Sequence, residues 1–461
     1  MSDFSVRDPI HNFIRLPAVV GPVVNCGPLQ RLRGIRQLAL ASLVYPGALH
    51  TRFDHTLGVT HVAGEMAKRL GAEPDEVGLV QLAGLLHDAG HGPFSHVSEA
   101  SLDRFGDRSK LKPNQAEHKI HEAVTAEIIR TDPELCRIIP EEMRERVIRL
   151  LGKWDGRPFL KQVVSGPLDA DKQDYLLRDS HFCGVQYGRY DLAQLHRSLV
   201  LPDRDADLMI DDDGVHACEQ FVLAKYYMTA NVYRHRVRLI TDQMITRAIR
   251  LGIEVDKLEQ MGRLYRFDGS AGFVKNYQQW DDARFMEKFC PLAGAPPGAK
   301  SGEMLRRLRE RSLLKEVFKD TIGKPYDARI WETLKGLPKR NADAVAPAVE
   351  RAVAGYLTKE LKLATAIDPD FVIAYSYSIK SARESSRNDE EGILVHLRPS
   401  PQFFVDESTL FKSINEAFSD NHIVLFAPIE WPDPVKKDDL RTSWKDAIRG
   451  IIEAECKKVK P

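Results

Sequence analysis

Cysteine, net charge and long apolar runs are all scarce in this chain, and each shortage excludes a class of protein. The six cysteines (Cys26, Cys136, Cys183, Cys218, Cys290 and Cys456) are scattered over 461 residues and form no C-x-x-C pair. That spacing argues against a disulfide framework or a zinc ribbon and fits a reducing compartment. Lys+Arg and Asp+Glu both number 66, so the formal net charge is zero. No global positive field draws such a chain onto nucleic acid or an acidic membrane, although a local basic pocket stays open. No apolar run is long enough to span a bilayer, and MSDFSVRDPIHNF at the start has no signal-peptide pattern. The expectation is a cytoplasmic protein that does not engage a membrane. What is present, 43% hydrophobic and 29% charged residues, suits a globular protein with a large core, or a main domain and a smaller one.

The first two thirds read as helix after helix. Apolar residues recur at spacings of three and four in 75–86 (DEVGLVQLAGLL) and 121–131 (HEAVTAEIIRT), and the pattern continues through 171–180 and 218–253. The MI between acidic residues in 201–215 predicts a small hairpin. Residues 291–302 (PLAGAPPGAKSG) read as a loop or linker, and the charged run 304–319 as a solvated helix face. After about residue 365 the texture turns to β-rich runs, at 371–379, 392–397 and 422–429, with helical stretches at 407–418 and 444–456. The expected fold is therefore mainly α: a core over 1–290, a helical extension over 291–365 and a small α+β domain over 366–461.

Chemistry concentrates in residues 84–96, GLLHDAGHGPFSH. His87 and Asp88 end an apolar helix, so imidazole and carboxylate leave a rigid scaffold side by side. Both are ordinary ligands for Mn, Fe, Ni or Zn. Two ligands do not make a site. His55, at a helix start just after Arg52, and Asp171, at the head of another helix beside Lys172, supply a third and a fourth. Mixed nitrogen and oxygen donors on three helices leave positions open for water and a phosphate oxygen, as metal-assisted hydrolysis requires.

The H…HD…D pattern resembles the HD-domain metal-dependent phosphohydrolases, and within them the deoxynucleoside triphosphate (dNTP) triphosphohydrolase branch. The matching stretches are RDPIHNFI (7–14), LQRLRGIRQL (29–38), HTRFDHTLGV (50–59), GLLHDAGHGPFSH (84–96), DADKQDYLLRD (169–179) and VYRHRV (232–237), in family order over roughly the first 250 residues. The resemblance implies metal ligands His55, His87, Asp88 and Asp171, with Mn, Fe, Ni or Zn as the metal and Mg as an additional ion. It implies His96 as general acid, Glu99 (often Asp in the family) as the carboxylate that positions it, and His91 on the phosphate nearest the sugar. His121 completes the inner cluster, because His121-Glu122 matches the family's His-Glu pair better than His118 does. His50 and His61 match no family role and read as surface or core histidines.

The resemblance also implies how substrate is held. Arg52, Lys172, Lys225 and Arg236 would take the phosphates, Lys225 standing where the vertebrate relative has Arg. Gln37 and Asp179 would bond the sugar 3′-hydroxyl, Tyr175 would pack near C2′, and Tyr233 would lie against sugar or base. Gln30 and Arg33 match a nucleotide-activator site of some relatives. Asn25 and Phe4-Ser5 depart from its guanine-reading pattern, so GTP activation of the vertebrate kind is not expected, and another activator or none stays open. Relatives assemble, so a homo-oligomer, dimer or tetramer, is implied. The leading expectation is hydrolysis of a dNTP to deoxynucleoside and triphosphate. An HD-type phosphodiesterase, nuclease or nucleotidase is the alternative; the neutral charge balance disfavours a single-stranded nucleic-acid substrate. A non-catalytic dNTP-responsive regulator is a third.

Overall fold

The computed structural model describes residues 4–112, 119–291, 298–322, 326–335, 337, 345–379, 392–413, 420–433 and 435–458. The chain is mainly α-helical and forms two compact units. The first comprises 1–233, 259–288 and 381–416, the second 234–258, 289–380 and 417–461. No helix among the described residues is long and apolar enough to cross a membrane.

Three helices frame the first unit. Arg52–Arg69 begins at a capping box: Asp54 N–H donates to Thr51 Oγ1 (3.4 Å), and Thr51 N–H to the Asp54 carboxylate (2.8 Å). Pro74–Leu86 begins with proline at its first position, and every residue from Val77 to Leu86 is buried. A helix apolar on all sides belongs in a core, so the residues at its end are held rigidly. Ala170–Cys183 begins at Asp169, whose carboxylate accepts the Lys172 N–H (2.8 Å), and ends at Gly184 in the left-handed region (φ 69°). Gly58 lets the first and third helices meet: a Cβ there would stand 1.8 Å from Asp174 Oδ1.

The strands Phe4–Asp8 and Asn12–Leu16 form an antiparallel hairpin. The expected pairing around 201–215 is present, Leu199–Val200 antiparallel to Met209–Asp211. Leu394–His396, read as part of the C-terminal domain, instead pairs in parallel with Met209–Asp211 and belongs to the first unit. Buried Ile210 and Val395 face each other there, an apolar match that sequence proximity does not reveal.

In the second unit, Lys315–Thr321, Asp420–Ala427 and Ile373–Ile379 form an antiparallel sheet with Asp420–Ala427 central. Val317, Val349, Val353, Ile423, Leu425, Trp444, Ile448 and Ile452 share one core, so 291–365 is not a separate helical extension. The charged run 304–319 is helical only to Arg309; after Arg311 (φ 56°) its remainder enters the strand, because Val317 and Phe318 are buried in the core. The continuous pattern at 218–253 is likewise broken, into Val215–Met228, a π-turn at Thr229–Tyr233 and Arg236–Glu254. The helix read at 407–418 is described only as short turns at Phe404–Glu407 and Thr409–Lys412; residues 414–419 lie outside the described residues, as do 292–297 of the loop and His118.

Candidate active site

His55, His87 and Asp171 bring ligand atoms to within 4.8 Å of one another, from three elements. His55 Nδ1–H donates to Asp174 Oδ2 (2.8 Å), leaving Nε2 facing Asp171 Oδ1 at 2.9 Å. His87 Nδ1–H donates to the Gly84 carbonyl (2.8 Å), leaving Nε2 buried with no hydrogen-bond partner among the described residues. That nitrogen lies 3.2 Å from Asp88 Oδ1 and 3.8 Å from Asp171 Oδ1. Two ligands about 2.1 Å from one ion stand roughly 3.0–3.5 Å apart at octahedral or tetrahedral angles. His55, His87 and Asp171 therefore fit a divalent metal, with Asp88 beside His87, and the bonded Nδ1 atoms select the tautomers it needs.

Electrostatics agree with the geometry. Burial opposes charge on His55, but hydrogen bonds to Asp171 and Asp174 raise its pKa to about 10. Burial opposes charge on Asp171 too, yet the His55 hydrogen bond lowers its pKa to about 2. A cation is thus favoured between them, either a proton or a metal ion. Against its burial, Arg52, followed by His87 and His91, holds Asp88 well below the ordinary carboxylate range; Arg52 Nη1 donates to its Oδ2 (2.6 Å).

A second group adjoins the first. His91 Nε2 lies 3.2 Å from Asp88 Oδ1, and its Nδ1 lies 3.5 Å from Glu99 Oε1. The His91 ring stacks on His121, centroids 4.5 Å apart. Burial, reinforced by Arg52, pushes the His91 pKa well below the usual imidazole value, and burial lowers His121. Glu99 Oε1 accepts from His96 Nδ1 at 2.5 Å. Although burial opposes its charge, His96 holds Glu99 far below the ordinary carboxylate range. The His96 side chain itself is 62% exposed.

The backbone before His96 is unusual: Phe94 (φ 62°) and Ser95 (φ 56°) are consecutive non-glycine residues in the left-handed half of conformational space. Three contacts hold them there. Phe94 N–H donates to Asp282 Oδ1 (2.7 Å), Ser95 Oγ donates to the Arg36 carbonyl (2.5 Å), and Arg52 Nε donates to Ser95 Oγ (2.8 Å). Such conformations cost of order 1–3 kcal/mol each and persist where surroundings enforce them.

The residues read as substrate contacts fall into several settings. Asp179 is buried, accepting from Tyr233 Oη (2.7 Å) and His50 Nε2 (2.8 Å); Tyr175 meets Tyr233 edge-on at 6.1 Å. Gln37 is buried, with Oε1 unpartnered among the described residues. Lys172 is engaged by Asp169 and by the Gly166 carbonyl. Lys225 lies on Val215–Met228, whereas Arg236 is exposed on a helix of the second unit. Gln30 and Arg33 bond each other (2.9 Å).

Sequence reasoning passed over several participants. His50, read as a surface or core histidine, is bonded to Asp179, and His61 packs on His11 at 5.1 Å. Asp174 and Arg178 had received no role, although their spacing of four on one helix was a usable signal. Lys119 donates to Glu99 Oε2 (3.2 Å), and Arg31 holds the loop by donating to the carbonyls of Ala89 (3.2 Å) and His91 (2.6 Å).

Residues 52–193 match the HD domain and residues 190–350 the HD associated region. An uncharacterised protein of Methanocaldococcus jannaschii is 35% identical over 259 residues, 55% of this chain and 51% of that protein. The human deoxynucleoside triphosphate triphosphohydrolase SAMHD1 is 29% identical over 345 residues, 68% of this chain and 54% of that enzyme. The chain thus spans about half the length of the curated relatives it matches. The fold is shared with a phosphohydrolase from Bacteroides thetaiotaomicron, at a TM-score of 0.70 and 22% identity over 92% of this chain and 100% of that one. The chain is an HD-domain protein with an HD-associated region, homologous to the SAMHD1 enzymes.

Proposed function

We propose that this chain hydrolyses dNTPs to deoxynucleoside and inorganic triphosphate, with a divalent transition metal held by His55, His87, Asp88 and Asp171. The observation that carries the reading is Asp88, whose Oδ1 lies 3.2 Å from both His87 Nε2 and His91 Nε2. One carboxylate joins the metal group to the His91–Glu99–His121 group, so ligands and phosphate-binding side chains converge on a single place. Homology to the SAMHD1 dNTP triphosphohydrolases supports the substrate class.

The metal, with Mn²⁺ the first to test, would supply Lewis acidity toward the phosphate next to the sugar. The chain supplies the rest. Arg52 Nη2 is buried without a hydrogen-bond partner among the described residues and offers N–H to a phosphate oxygen. His91, kept neutral by burial, can donate to phosphate without competing with the metal as a cation. Glu99 accepts the His96 Nδ1–H, which orients Nε2 as the proton donor. Water oxygen bonds to phosphorus, the bond from phosphorus to the 5′-oxygen breaks, and His96 protonates that oxygen. Asp179 and Gln37 would hold the 3′-hydroxyl, with Tyr175 and Tyr233 beside the sugar. Lys172 would reach phosphate only by exchanging its present bonds to Asp169 and Gly166.

Purified chain incubated with Mn²⁺ and each dNTP in ¹⁸O-water should release deoxynucleoside and tripolyphosphate in equal amounts, with the label in tripolyphosphate. Release of orthophosphate or pyrophosphate alone, or cleavage of single-stranded nucleic acid instead, overturns the reading.

A further inference from the structure

Behind His55 stands a second layer of buried charge that the proposed reaction does not use. Asp174 Oδ2 accepts from His55 Nδ1, and Asp174 Oδ1 accepts from His11 Nε2 at 2.6 Å. Arg178 Nε and Nη2 donate to the same carboxylate at 2.8 and 2.9 Å. Arg178 Nη1 also donates to Asp8 Oδ2 (2.9 Å), and Asp8 Oδ1 accepts the backbone N–H groups of Ile10 and His11, each at 2.8 Å. The side chains of His11, Asp174 and Arg178 are all at most 3% exposed. The circuit runs from the Phe4–Leu16 hairpin through His11 to Asp174 and so to His55. Gly58 leaves the room that the Asp174 carboxylate occupies.

We infer that this hairpin is part of the metal centre: His11, acting through Asp174, is a positioning residue that sets metal affinity. The inference rests on the reading of His55 as a metal ligand. A ligating imidazole generally donates its second N–H to a carboxylate, which fixes ring orientation and tautomer and raises its basicity. Asp174 does this for His55 only while its two oxygens stay where Arg178 and His11 hold them. Arg178, from the same helix as Asp174, reaches the hairpin only through Asp8, whereas His11 is the hairpin side chain that bonds the Asp174 carboxylate directly.

The alternative is that the network merely fastens the hairpin down. Mn²⁺ titration of the metal-free full-length chain by calorimetry separates the two, with thermal unfolding measured with and without Mn²⁺. His11→Phe keeps a ring and removes the donor; His11→Gln keeps an N–H that can reach Asp174. His11→Phe should weaken Mn²⁺ binding by about 10–100-fold and shrink the rise in unfolding temperature that Mn²⁺ produces, and His11→Gln should recover much of both. Equal loss of unfolding temperature with and without metal, at an Mn²⁺ affinity within twofold of wild type, overturns the inference. If His11→Phe does not fold, His11→Gln and His11→Asn carry the test, because only the longer amide is expected to retain affinity. His55→Ala serves as the reference: if it binds Mn²⁺ as wild type does, the ligand assignment itself fails. If it loses binding and the His11 variants do not, only the present inference fails.

Discussion

Both units have apolar cores, but buried charged and titratable side chains are more numerous in the first. The first encloses Arg52, Asp88, Asp174, Arg178, Asp179, His50, His55 and His91. The second packs Val317, Val349, Ile423, Leu425, Trp444, Ile448 and Ile452 around its sheet, with Arg247–Glu350 as a buried ion pair. Burying a charge costs several kcal/mol even when it is paired, and apolar groups of similar volume often stabilise as well or better. Stability alone therefore explains the apolar cores of both units but not the concentration of buried charge in the first. On the proposed function, the polar interior is accounted for by what it positions, namely imidazole nitrogens and carboxylate oxygens at separations that suit a metal ion.

That contrast can be broken by separating rate from stability. The largest effect is expected at His96, whose alanine variant should lower dNTP turnover by about 10²–10⁴-fold while leaving the unfolding midpoint in urea near wild type, since most of its side chain is in solvent. A loss below tenfold, or a large shift in the midpoint, would place His96 on the stability side. In the second unit the reverse is expected. Ile448→Ala and Ile452→Ala remove fully buried side chains and should each cost about 2–5 kcal/mol in urea unfolding. Glu350→Gln should cost about 3–5 kcal/mol by leaving Arg247 without its charged partner. Values below 1 kcal/mol would mean that this core is not holding the unit together.

The sequence disclosed what local rules govern. His55 reads as the start of one helix, His87 as the end of an apolar one and Asp171 as the head of a third, and the structure puts these elements at those positions. It could not disclose which residues lie behind them. His11 and Asp174 are 163 residues apart, and neither lies in a pattern whose period predicts the contact. Lys119 on Glu99 and Arg31 on the 88–92 loop are hidden for the same reason: long-range polar contacts have no periodicity. The division into units failed to show because the chain crosses between them repeatedly, and composition reports only averages along a contiguous stretch. Leu394–His396 looks like its neighbours in sequence and pairs with a strand 185 residues earlier.

The smallest effect sharpens the comparison within the first unit, by asking whether a half-buried polar group is held neutral there. His196 Nε2 bonds Gln173 Oε1 at 2.7 Å, and burial lowers its pKa to about 4. Glu65 opposes that shift, while His61, His11 and Arg69 add to it. An unfolded chain takes up this proton near pH 6.5, so between about 4 and 6.5 the unfolded state binds more protons than the folded one. Linkage then makes the His196 contribution complete above pH 6.5 and progressively lost as pH falls toward 4. Between pH 7.5 and pH 5, wild type should lose about 2 kcal/mol more unfolding free energy in urea than His196→Gln, the carboxylates being common to both. Equal losses would show that His196 accepts its proton in the folded chain as readily as in the unfolded one. The interior of the first unit would then tolerate new charge at this position, and the cost that separates the two interiors would not apply to it.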